Sequence, residues 1–488
     1  MKIRLIIMIL STLLALEAEA RNVTNRLVII SDPHLLAPEL ITPGSAIDRA
    51  DAAETKMMAM SDDIMSTLTD SIIDLKASIV LITGDLTNNG ERLSHERMAQ
   101  HLERMRQHGI QPLVIPGNHD CNIPGAKRYD GDHAVPTATV TREEFAHIYR
   151  NFGYGPSSLR DTASLSYCCE PSKGLVIIGI DSNMDELNTL TSRGDSADTY
   201  HNGGRIKPET LQWVIDRANE ARKHGKHVIA MMHHHLVPHF DKEEHLLTNY
   251  IIDDHRQVAT QLLEAGIHTI FTGHLHVTDV ATMKNEELND SIVEVATGSA
   301  ICYPFAMRIA TLDRKKHTLA IDTRWLTATQ SCSTLREQGR QRIIAATPGM
   351  TALLSSKAWN KMKGHMGQLK AMLEMGGGKA NLPETAQQAT QLALRHLNEV
   401  LSRAMLAVVE GNEQENDVES IITQGKEGIR AMIQEIVPDQ ADDLWEFFIT
   451  SVYPTKVEPL VRSLLEDRNA VHTLAESRID DLHLTIRL

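Results

Sequence analysis

The sequence predicts an α/β fold in which two sheets pack together between helices, followed by an all-helical C-terminal domain. Short apolar runs alternate with amphipathic helical stretches through the first half of the chain, which is the pattern of a mostly parallel sheet with crossover helices. Later runs alternate as antiparallel strands do, and strand signals stop near residue 327. At 488 residues the chain exceeds what one core usually supports, so two domains are expected.

The composition narrows the class of partner. The formal net charge is −15, from 64 acidic and 49 basic residues, which argues against a surface that binds a nucleic-acid polymer. A small nucleotide held through metals stays possible. There are 24 histidines, and many of them follow predicted strands.

The first twenty residues read as a secretory signal peptide. Lys2 and Arg4 precede an apolar run to Leu16, and Ala18-Glu19-Ala20 fits a cleavage site after Ala20. The uninterrupted apolar core has about a dozen residues, fewer than the ~20 that span a bilayer. We therefore expect an exported protein, periplasmic or extracellular, with no transmembrane span once mature. An uncleaved membrane anchor is the alternative.

The cysteines indicate no structural framework. Five is an odd number, and the chain has no Cys-x-x-Cys pair that would hold structural zinc. Adjacent Cys168 and Cys169 read as packing residues of a strand, and any disulfide pairing is left open.

Residues 26–272 contain five predicted buried strands that matter for function. They are predicted at Arg26–Ser31, Ser78–Thr83, Gln111–Pro116, Lys226–Met232 and His268–Thr272. Helices are predicted over Ile47–Lys76, Glu91–His108, Pro208–His224 and, in the main, Glu243–Gly266. Cys121–Val140 is predicted to be a loop, and Thr141 with Glu144 forms a capping box at the start of the next helix.

Each of the five strands ends in residues that can bind a metal. The candidate ligands, strand by strand, are Asp32 and His34; Asp85; Asn118; His233; and His274 and His276, and His119 and Asp120 directly follow Asn118. Open α/β sheets place their chemistry at the carboxyl ends of strands. Oxygen and imidazole donors without a thiolate suit Mn, Fe, Zn or Mg. Seven ligands are too many for one ion and fit two ions that share a carboxylate, bridge a hydroxide and hold a phosphoryl group for attack.

The rest of the chain divides into a second sheet and a helical region. Strands are predicted at Ser291–Gly298, Arg308–Leu312 and His317–Thr323, and helices at Met350–Met375, Pro383–Val409, Asp417–Ile436 and Asp439–Leu488. These patterns place one domain at residues 22–327 and a helical C-terminal domain at residues 340–488. Trp359, Trp445 and Phe447 are predicted to lie in the helical core.

The strand-end motifs resemble the five-block signature of calcineurin-like metallophosphoesterases. The matching blocks are Asp32-x-His34, Gly84-Asp85, Gly117-Asn118-His119-Asp120, His233 and Gly273-His274-x-His276, within about residues 22 to 325. The resemblance implies a four-layer α/β-β/α sandwich with a dinuclear centre between the sheets.

The same resemblance implies a role for each residue. Asp32, His34 and His276 would hold one ion, Asn118, His233 and His274 the other, and Asp85 would bridge both. His119 would contact phosphate and protonate the leaving oxygen, and Asp120 would orient it. The family usually reads His-His-Pro after His233's strand, and here His235 stands in place of the proline.

Further residues are similar to one branch of the family. Asn122 and Pro124 after the His119 motif, and Phe152-Gly153-Tyr154, resemble bacterial exported phosphoesterases with a helical C-terminal domain, some of which are class III cyclic-nucleotide phosphodiesterases. The branch implies hydrolysis of small phosphodiesters such as cyclic nucleotides by attack of a metal-bridging hydroxide.

Two other classes remain open. A phosphomonoesterase, either a nucleotidase or a protein Ser/Thr phosphatase, would use arginines to grip a dianionic phosphate, and Arg128, Arg193 and Arg205 lie in suitable loops. A non-catalytic, metal-stabilised binding protein is the remote alternative. The metal identities, the native substrate, the oligomeric state and the role of the helical domain are not set by the sequence.

Overall fold

The structure is a computed structural model that describes residues 25–188, 200–375, 378–411, 417–466 and 480–488. The predicted signal peptide, residues 1–20, lies outside the described residues.

Strands occur along most of the N-terminal part of the described residues and once at the end of the chain. In chain order they are β1 (Asn25–Ile30), β2 (Ile41–Thr42), β3 (Ile79–Ile82), β4 (Gln111–Val114), β5 (Lys127–Asp130), β6 (His133–Pro136), β7 (Leu159–Arg160), β8 (Tyr167–Ser172), β9 (Leu175–Ile180), β10 (His227–Met232), β11 (Thr269–Thr272), β12 (Asp279–Asn285), β13 (Asp290–Ala296), β14 (Ala306–Asp313), β15 (Thr318–Trp325) and β16 (His483–Arg487).

Helices alternate with these strands and then dominate the C-terminal part of the described residues. In chain order they are α1 (Ser45–Ala52), α2 (Ser61–Asp74), α3 (Arg92–Gln107), α4 (Arg142–Ile148), α5 (Pro208–Lys223), α6 (Glu243–Leu246), α7 (His255–Glu264), α8 (Leu335–Met362), α9 (Met366–Glu374), α10 (Ala386–Glu410), α11 (Val418–Ile436), α12 (Ala441–Phe447) and α13 (Glu458–Leu465), with a π-helix at Phe448–Val457.

Two large sheets form the N-terminal part of the molecule. The first has the strand order β16-β15-β14-β1-β3-β4, and the second has the order β12-β13-β11-β10-β9-β8-β7. Strands β1, β3 and β4 are parallel, as are β9, β10, β11 and β13. The parallel strands bring their carboxyl ends to one edge of each sheet, which is where the candidate ligands follow them.

Side chains of the second sheet alternate between two cores. In β9, Leu175 and Ile177 face the core shared with the first sheet, while Val176 and Ile178 face a separate core against α5 and α7. The opposite face of the first sheet packs on α2 and α3 through residues such as Leu68 and Leu102. The layers therefore run helix, sheet, sheet, helix, which confirms the predicted four-layer sandwich.

Three local expectations in this part were tested, and two need correction. The predicted helix over Ile47–Lys76 is interrupted, because α1 ends at Ala52 and α2 begins at Ser61. The predicted loop Cys121–Val140 contains the hairpin β5–β6, which pairs with β2 in a small separate sheet. The capping box of Thr141 and Glu144 is confirmed at the start of α4.

The helical region follows β15, as predicted, and has a core of its own. Val400, Ile421, Ile422 and Leu465 are among the buried residues that join α10, α11 and α13. Phe447 was expected in this core, but it is 59% exposed. Helices α8 and α10 also contact the sandwich core through Leu335, Ile343 and Leu406.

The end of the chain returns to the sandwich. The sequence predicted helix to Leu488, but residues 483–487 form β16, which pairs antiparallel with β15 at the edge of the first sheet. Arg308, buried in β14, donates to the carbonyl oxygen of Asp481. The C-terminal region is therefore attached to the sandwich at both of its ends.

No helix in the described ranges combines the length and the hydropathy that crossing a membrane would need.

Candidate metal centre

Three predicted ligands meet where the two sheets face each other, two of them after β1 of the first sheet and one after β11 of the second. His276 Nε2 lies 3.2 Å from Asp32 Oδ1 and 3.1 Å from His34 Nε2. Ligand atoms that share one ion at about 2.0–2.2 Å lie ~3–3.5 Å apart. Asp32 and His34 are buried, whereas the His276 side chain is 24% exposed. We call these residues the first ligand group.

A second set of predicted ligands also combines both sheets, with two residues after β3 and β4 of the first sheet and two after β10 and β11 of the second. Asp85, His233 and His274 each place a ligand atom within 4.8 Å of the others. His233 Nε2 also lies 2.9 Å from the side-chain oxygen of Asn118. We call Asp85, Asn118, His233 and His274 the second ligand group.

One carboxylate oxygen faces both groups. Asp85 Oδ2 lies 3.4 Å from His34 Nε2 and 3.5 Å from His233 Nε2. Its other oxygen, Oδ1, accepts a hydrogen bond from the backbone N–H of His119 at 2.8 Å. Oδ1 is therefore held by a backbone hydrogen bond, whereas Oδ2 is the oxygen that two bound ions would share.

The imidazoles are oriented by backbone carbonyls. His233 Nδ1 lies 2.8 Å from the carbonyl oxygen of Thr83, and a hydrogen bond donated there leaves Nε2 as a free lone pair. His274 Nε2 lies 3.1 Å from the carbonyl oxygen of Asn249, which leaves Nδ1 to face the centre. These partners fix the tautomers that metal ligation requires.

The backbone at the strand ends is strained in a common way. Positive φ angles, which side-chain-bearing residues adopt rarely, occur at Asp32 (49°), His34 (36°), Asp85 (49°), His274 (70°) and His276 (62°). Such strain persists where the surroundings impose it, and it is concentrated at functional sites. Five of the seven predicted ligands share it, so the chain is bent at each of these strand ends to turn side chains inward.

Two glycines allow the strand ends to approach one another. A Cβ on Gly117 would overlap the backbone and carboxylate of Asp85, and a Cβ on Gly273 would overlap Ser31 and the carboxylate of Asp32. Any other residue at these positions would push the ligands apart. The glycines of the sequence motifs therefore have a packing role in the centre.

His119 lies beside both groups, and its ring has an unexpected partner. Its Nδ1 is 3.0 Å from the side-chain oxygen of Asn89, and its ring makes an edge contact with that of His34. Asn89 was not among the predicted site residues. It lies four residues after Asp85, in the loop between β3 and α3, and a polar loop residue carries no sequence signal that distinguishes it from its neighbours.

Asp120 was predicted to orient the His119 ring, and its observed bonds serve the backbone instead. Its carboxylate accepts hydrogen bonds from the N–H groups of Leu86, Thr87 and Gly117 and from the Thr87 hydroxyl. Asp120 is fully buried and joins the loop after β3 to the loop after β4. Its position therefore holds the two loops that carry Asp85 and Asn118.

The same stretch of chain matches a known protein family. The profile of the calcineurin-like phosphoesterases matches residues 25–278, which is more than half of the chain. The chain belongs to the calcineurin-like phosphoesterase family. Membership confirms the resemblance read from the motifs, and together with the two ligand groups it supports a metal-dependent phosphoester hydrolase with a dinuclear site.

Solved structures with detectable similarity are distant in sequence. A dimetal phosphatase from Danio rerio is 12% identical at a TM-score of 0.40, with 62% of this chain and 96% of that chain covered. The purple acid phosphatase PPD1 from yellow lupin (Lupinus luteus) is 14% identical at a TM-score of 0.36, with 62% and 51% covered. GAP50, the anchor in the inner membrane complex of Plasmodium, is 10% identical at 0.30, with 66% and 94% covered. A search of curated proteins finds no match.

The residues of this phosphoesterase fit a pair of cations. Asp32 Oδ2 accepts bonds from the Ser31 hydroxyl and the His274 N–H, but Asp32 Oδ1 is buried without a hydrogen-bond partner among the described residues and faces the first ligand group. A buried carboxylate oxygen without a donor is costly. An ion coordinated there would satisfy it, and the imidazole and carboxylate donors suit Mn, Fe, Zn or Mg.

Further residues at the phosphoesterase centre escaped the sequence prediction. The Tyr200 hydroxyl bonds with the side chain and carbonyl of Asn118, and its ring lies 5.8 Å from that of His119. Lys56 is largely buried, and after burial its positive charge is the main cause that lowers the pKa of His34. Neither residue belongs to a strand-end motif, so spacing alone could not identify them.

The structure describes two of the three predicted arginines and all five cysteines. Arg128 is half exposed on β5 and pairs with Asp130, and Arg205 is exposed. Arg193 lies outside the described residues. All five cysteines are buried and free, and Cys168 and Cys169, the two predicted packing residues, lie in β8. Cys302 Sγ lies 3.6 Å from Nδ1 of the candidate ligand His276.

Proposed function

We propose that this phosphoesterase hydrolyses small phosphodiesters, with cyclic nucleotides as the substrate class to test first. The single observation that supports a two-metal reaction is the position of Asp85 Oδ2, 3.4 Å and 3.5 Å from the two ligand groups. A carboxylate shared in this way is what holds a pair of ions at the separation that phosphoryl transfer uses, about 3.5–4 Å.

Bound ions would supply the activated water and would neutralise charge on the phosphoryl oxygens. The side chains of the protein would hold the ions and supply the general acid. Asp32, His34 and His276 would hold one ion, and Asn118, His233 and His274 the other. The partly exposed His119 and His276 mark the side of the centre that substrate can reach.

His119 is the residue we propose as the general acid. With Nδ1 directed at Asn89, its Nε2 is the nitrogen that can meet the leaving oxygen. Burial, with the charge of Lys56 and despite the charge of Asp85, lowers the pKa of His119 to about 4, so the ring is neutral at pH 7 in the absence of substrate. A bound phosphate anion favours the protonated ring, because an opposite charge nearby stabilises the imidazolium.

The charge around the centre favours a monoanionic substrate. A phosphodiester carries one negative charge, whereas a phosphomonoester carries up to two and usually requires additional cationic side chains. Lys56 is the buried cation whose charge acts on His34 and His119. Arg128, a candidate for gripping a dianion, is already paired with Asp130 at 3.3 Å.

The test compares two substrates on one protein preparation. Purified protein reconstituted with Mn²⁺ should hydrolyse bis-p-nitrophenyl phosphate with at least about tenfold higher kcat/KM than p-nitrophenyl phosphate, and chelation should abolish both activities. A positive result leads to a panel of cyclic nucleotides. Preference for the monoester would replace the proposal with the phosphomonoesterase. Metal binding without turnover of either ester would favour the metal-stabilised binding protein.

Export remains part of the proposal, on the strength of the N-terminal sequence. Sequencing the N-terminus of the protein recovered from cells tests it directly. A chain that begins at Arg21 supports cleavage after Ala20, and a chain that keeps residues 1–20 contradicts it.

A further inference from the structure

A third group of potential ligands lies outside the two groups described above. His235, His239 and Glu294 each place one ligand atom within 4.8 Å of the others, and all three residues are buried. His235 follows β10 and is the residue that replaces the family's usual proline, His239 is four residues later, and Glu294 projects from β13. We call these three residues the His235 cluster.

Both imidazoles are held by carboxylates on the side away from the cluster. His235 Nδ1 lies 2.7 Å from Glu243 Oε1, and His239 Nδ1 bonds with Asp279. A carboxylate partner on one ring nitrogen fixes the tautomer and makes the other nitrogen a better ligand. The Nε2 atoms of His235 and His239 are therefore the nitrogens presented to the cluster.

Neither of those two nitrogens makes a hydrogen bond within the described part of the chain, although His239 Nε2 lies within ion-pair distance of a carboxylate. His235 Nε2 and His239 Nε2 are both buried without a partner among the described residues, although the two residues are 0% and 4% exposed. His239 Nε2 lies 3.2 Å from Glu294 Oε1. That separation matches the ~3.3 Å between two atoms that bind one tetrahedral ion at about 2.0–2.1 Å.

Glu294 is equally constrained. Its Oε2 accepts the backbone N–H groups of Leu236 and Val237 at 2.8 Å and 2.6 Å, and its Oε1 accepts the Thr272 hydroxyl. A carboxylate oxygen has a second lone pair, so Oε1 can bind an ion while it keeps the Thr272 bond. The carboxylate is thus fixed in position with one acceptor site directed at the two imidazoles.

The negative charge of the carboxylates around the cluster also favours a bound cation. Glu243 and Glu294 are fully buried, and Asp279 is 14% exposed on its side chain, so three carboxylates surround two imidazoles. Protonation of His239 between Asp279 and Glu294 would offset part of this charge. It would not satisfy His235, whose Nε2 would still be a buried lone pair without a donor.

We infer that His235, His239 and Glu294 bind a third metal ion, of the Zn²⁺ type, that is separate from the dinuclear pair. Two imidazoles and one carboxylate form a common zinc ligand set, and water can complete a tetrahedral site. The ion would join the loop after β10 to Glu294 of β13, and the bond of His239 to Asp279 extends this link to β12. That loop begins at His233, so the ion holds the backbone that carries a ligand of the dinuclear centre.

The first test locates the ion in the unaltered protein. Crystals of the full chain grown with Zn²⁺ should give an anomalous difference peak at the zinc edge between His235 Nε2, His239 Nε2 and Glu294. This result does not depend on the dinuclear centre or on the reaction. Absence of that peak, with zinc present elsewhere in the same crystal, would overturn the inference.

The second test counts ions in matched variants. In His239→Asn the new amide can still donate to Asp279 from the Nδ1 position while the Nε2 ligand is lost, and Glu294→Gln removes the charge at constant size. Each variant should bind one ion fewer per chain than the wild type by elemental analysis. His101→Gln is the control, because His101 is also buried and bonded to a carboxylate, that of Asp62.

The dinuclear centre provides the opposite comparison. Asp85→Asn should lose the pair of ions and keep the ion of the His235 cluster. An unchanged metal content in both His239→Asn and Glu294→Gln would contradict the inference even if the dinuclear centre is confirmed. Wild-type diffraction decides the question where a variant fails to fold.

Discussion

The dinuclear centre and the His235 cluster are built from the same types of side chain, imidazoles and carboxylates, but differ in solvent access and in backbone conformation. The centre collects ligands from strand ends, five of them at positive φ, and His119 and His276 keep it partly open. The cluster uses one strand residue and one loop, and all its members are buried. A catalytic metal site must admit a substrate, and a site whose ligands are all buried does not. We therefore assign chemistry to the first and stabilisation to the second.

Substitution of Asp85, whose carboxylate faces both ligand groups, should cause the largest loss of activity. Asp85→Asn keeps the size of the side chain but removes the charge that both ligand groups face. Loss of several kcal/mol of transition-state stabilisation lowers kcat/KM by ~10³-fold or more. Elemental analysis should show loss of the bound ions, and the diester assay should show loss of activity in the same protein. Asp130→Asn, at an exposed carboxylate, serves as control, and an Asp85→Asn protein that retains both ions refutes the bridging role.

The proposed acid should show an effect that depends on the leaving group. His119→Ala should slow hydrolysis of esters with alkyl leaving groups by about 10²–10⁴-fold, because the departing alkoxide needs a proton. The nitrophenolate of bis-p-nitrophenyl phosphate needs none and should show a much smaller loss. Steady-state kinetics on both ester types measures the difference. Equal losses would rule out the acid assignment.

Substitution of Asn89, the hydrogen-bond partner of His119, should lower activity less than substitution of His119 itself. Asn89→Ala removes the acceptor at Nδ1, and loss of such a supporting bond typically costs about 10-fold or more in activity. Asn89→Asp should instead favour the imidazolium and extend the activity with alkyl leaving groups to higher pH. pH–rate profiles of the three proteins provide the readout. Identical profiles would show that Asn89 does not position the ring.

The closed cluster should affect stability more than rate. We expect His239→Asn to lower diester turnover by less than about 10-fold, since the cluster acts on the centre only through the loop from His233. Its melting temperature should rise less on addition of Zn²⁺ than that of the wild type, because only the dinuclear centre can still bind the ion. A turnover loss as large as that of Asp85→Asn would mean that the two sites are not functionally distinct.

The hydrogen-bonded pair of Asp62 and His101 belongs to neither proposed metal site. Its substitution should have the smallest effect and serves as a reference for both sites. Although burial raises it, hydrogen bonds from His101 and Arg97 hold the pKa of Asp62 well below its usual range. The ionised group therefore contributes stability above about pH 4 that is lost as pH falls below that value. Asp62→Asn should lower the free energy of unfolding by about 1 kcal/mol at pH 7, after allowance for solvent screening, with no change in turnover.

Denaturation of wild type and Asp62→Asn at pH 7 and at pH 3 checks the sign. The difference between the two proteins should shrink at the lower pH. A difference that grows as pH falls would contradict the assigned role of the ionised carboxylate.

The sequence predicts those parts of the molecule that follow from strand periodicity and motif order. Buried parallel strands read as apolar runs, and Asp32, Asp85, Asn118, His233 and His274 each follow one, so the layers and the ligand meeting point could be predicted together. The signal depends on a fixed relation between a residue and the end of its own strand.

The rest depends on contacts between distant segments. Asn89 and Tyr200 contact the centre from loops, Lys56 acts on His34 through its charge, and β16 pairs with β15 from the other end of the chain. Glu294 lies within β13 and meets His235 only because β13 and β10 both neighbour β11. No local sequence pattern predicts contacts between segments that are distant in the chain. The hydrogen bonds of Asp120 to three backbone amides were missed for the same reason.

The most direct test of the dinuclear account is a Mn²⁺ titration of chelated wild-type protein and of Asp85→Asn, with bis-p-nitrophenyl phosphate hydrolysis and bound metal measured on the same samples. The account predicts no turnover in the chelated wild type, recovery as metal binds, and no recovery in Asp85→Asn at any Mn²⁺ concentration. Turnover by the metal-free wild type, or full recovery by Asp85→Asn, would contradict it.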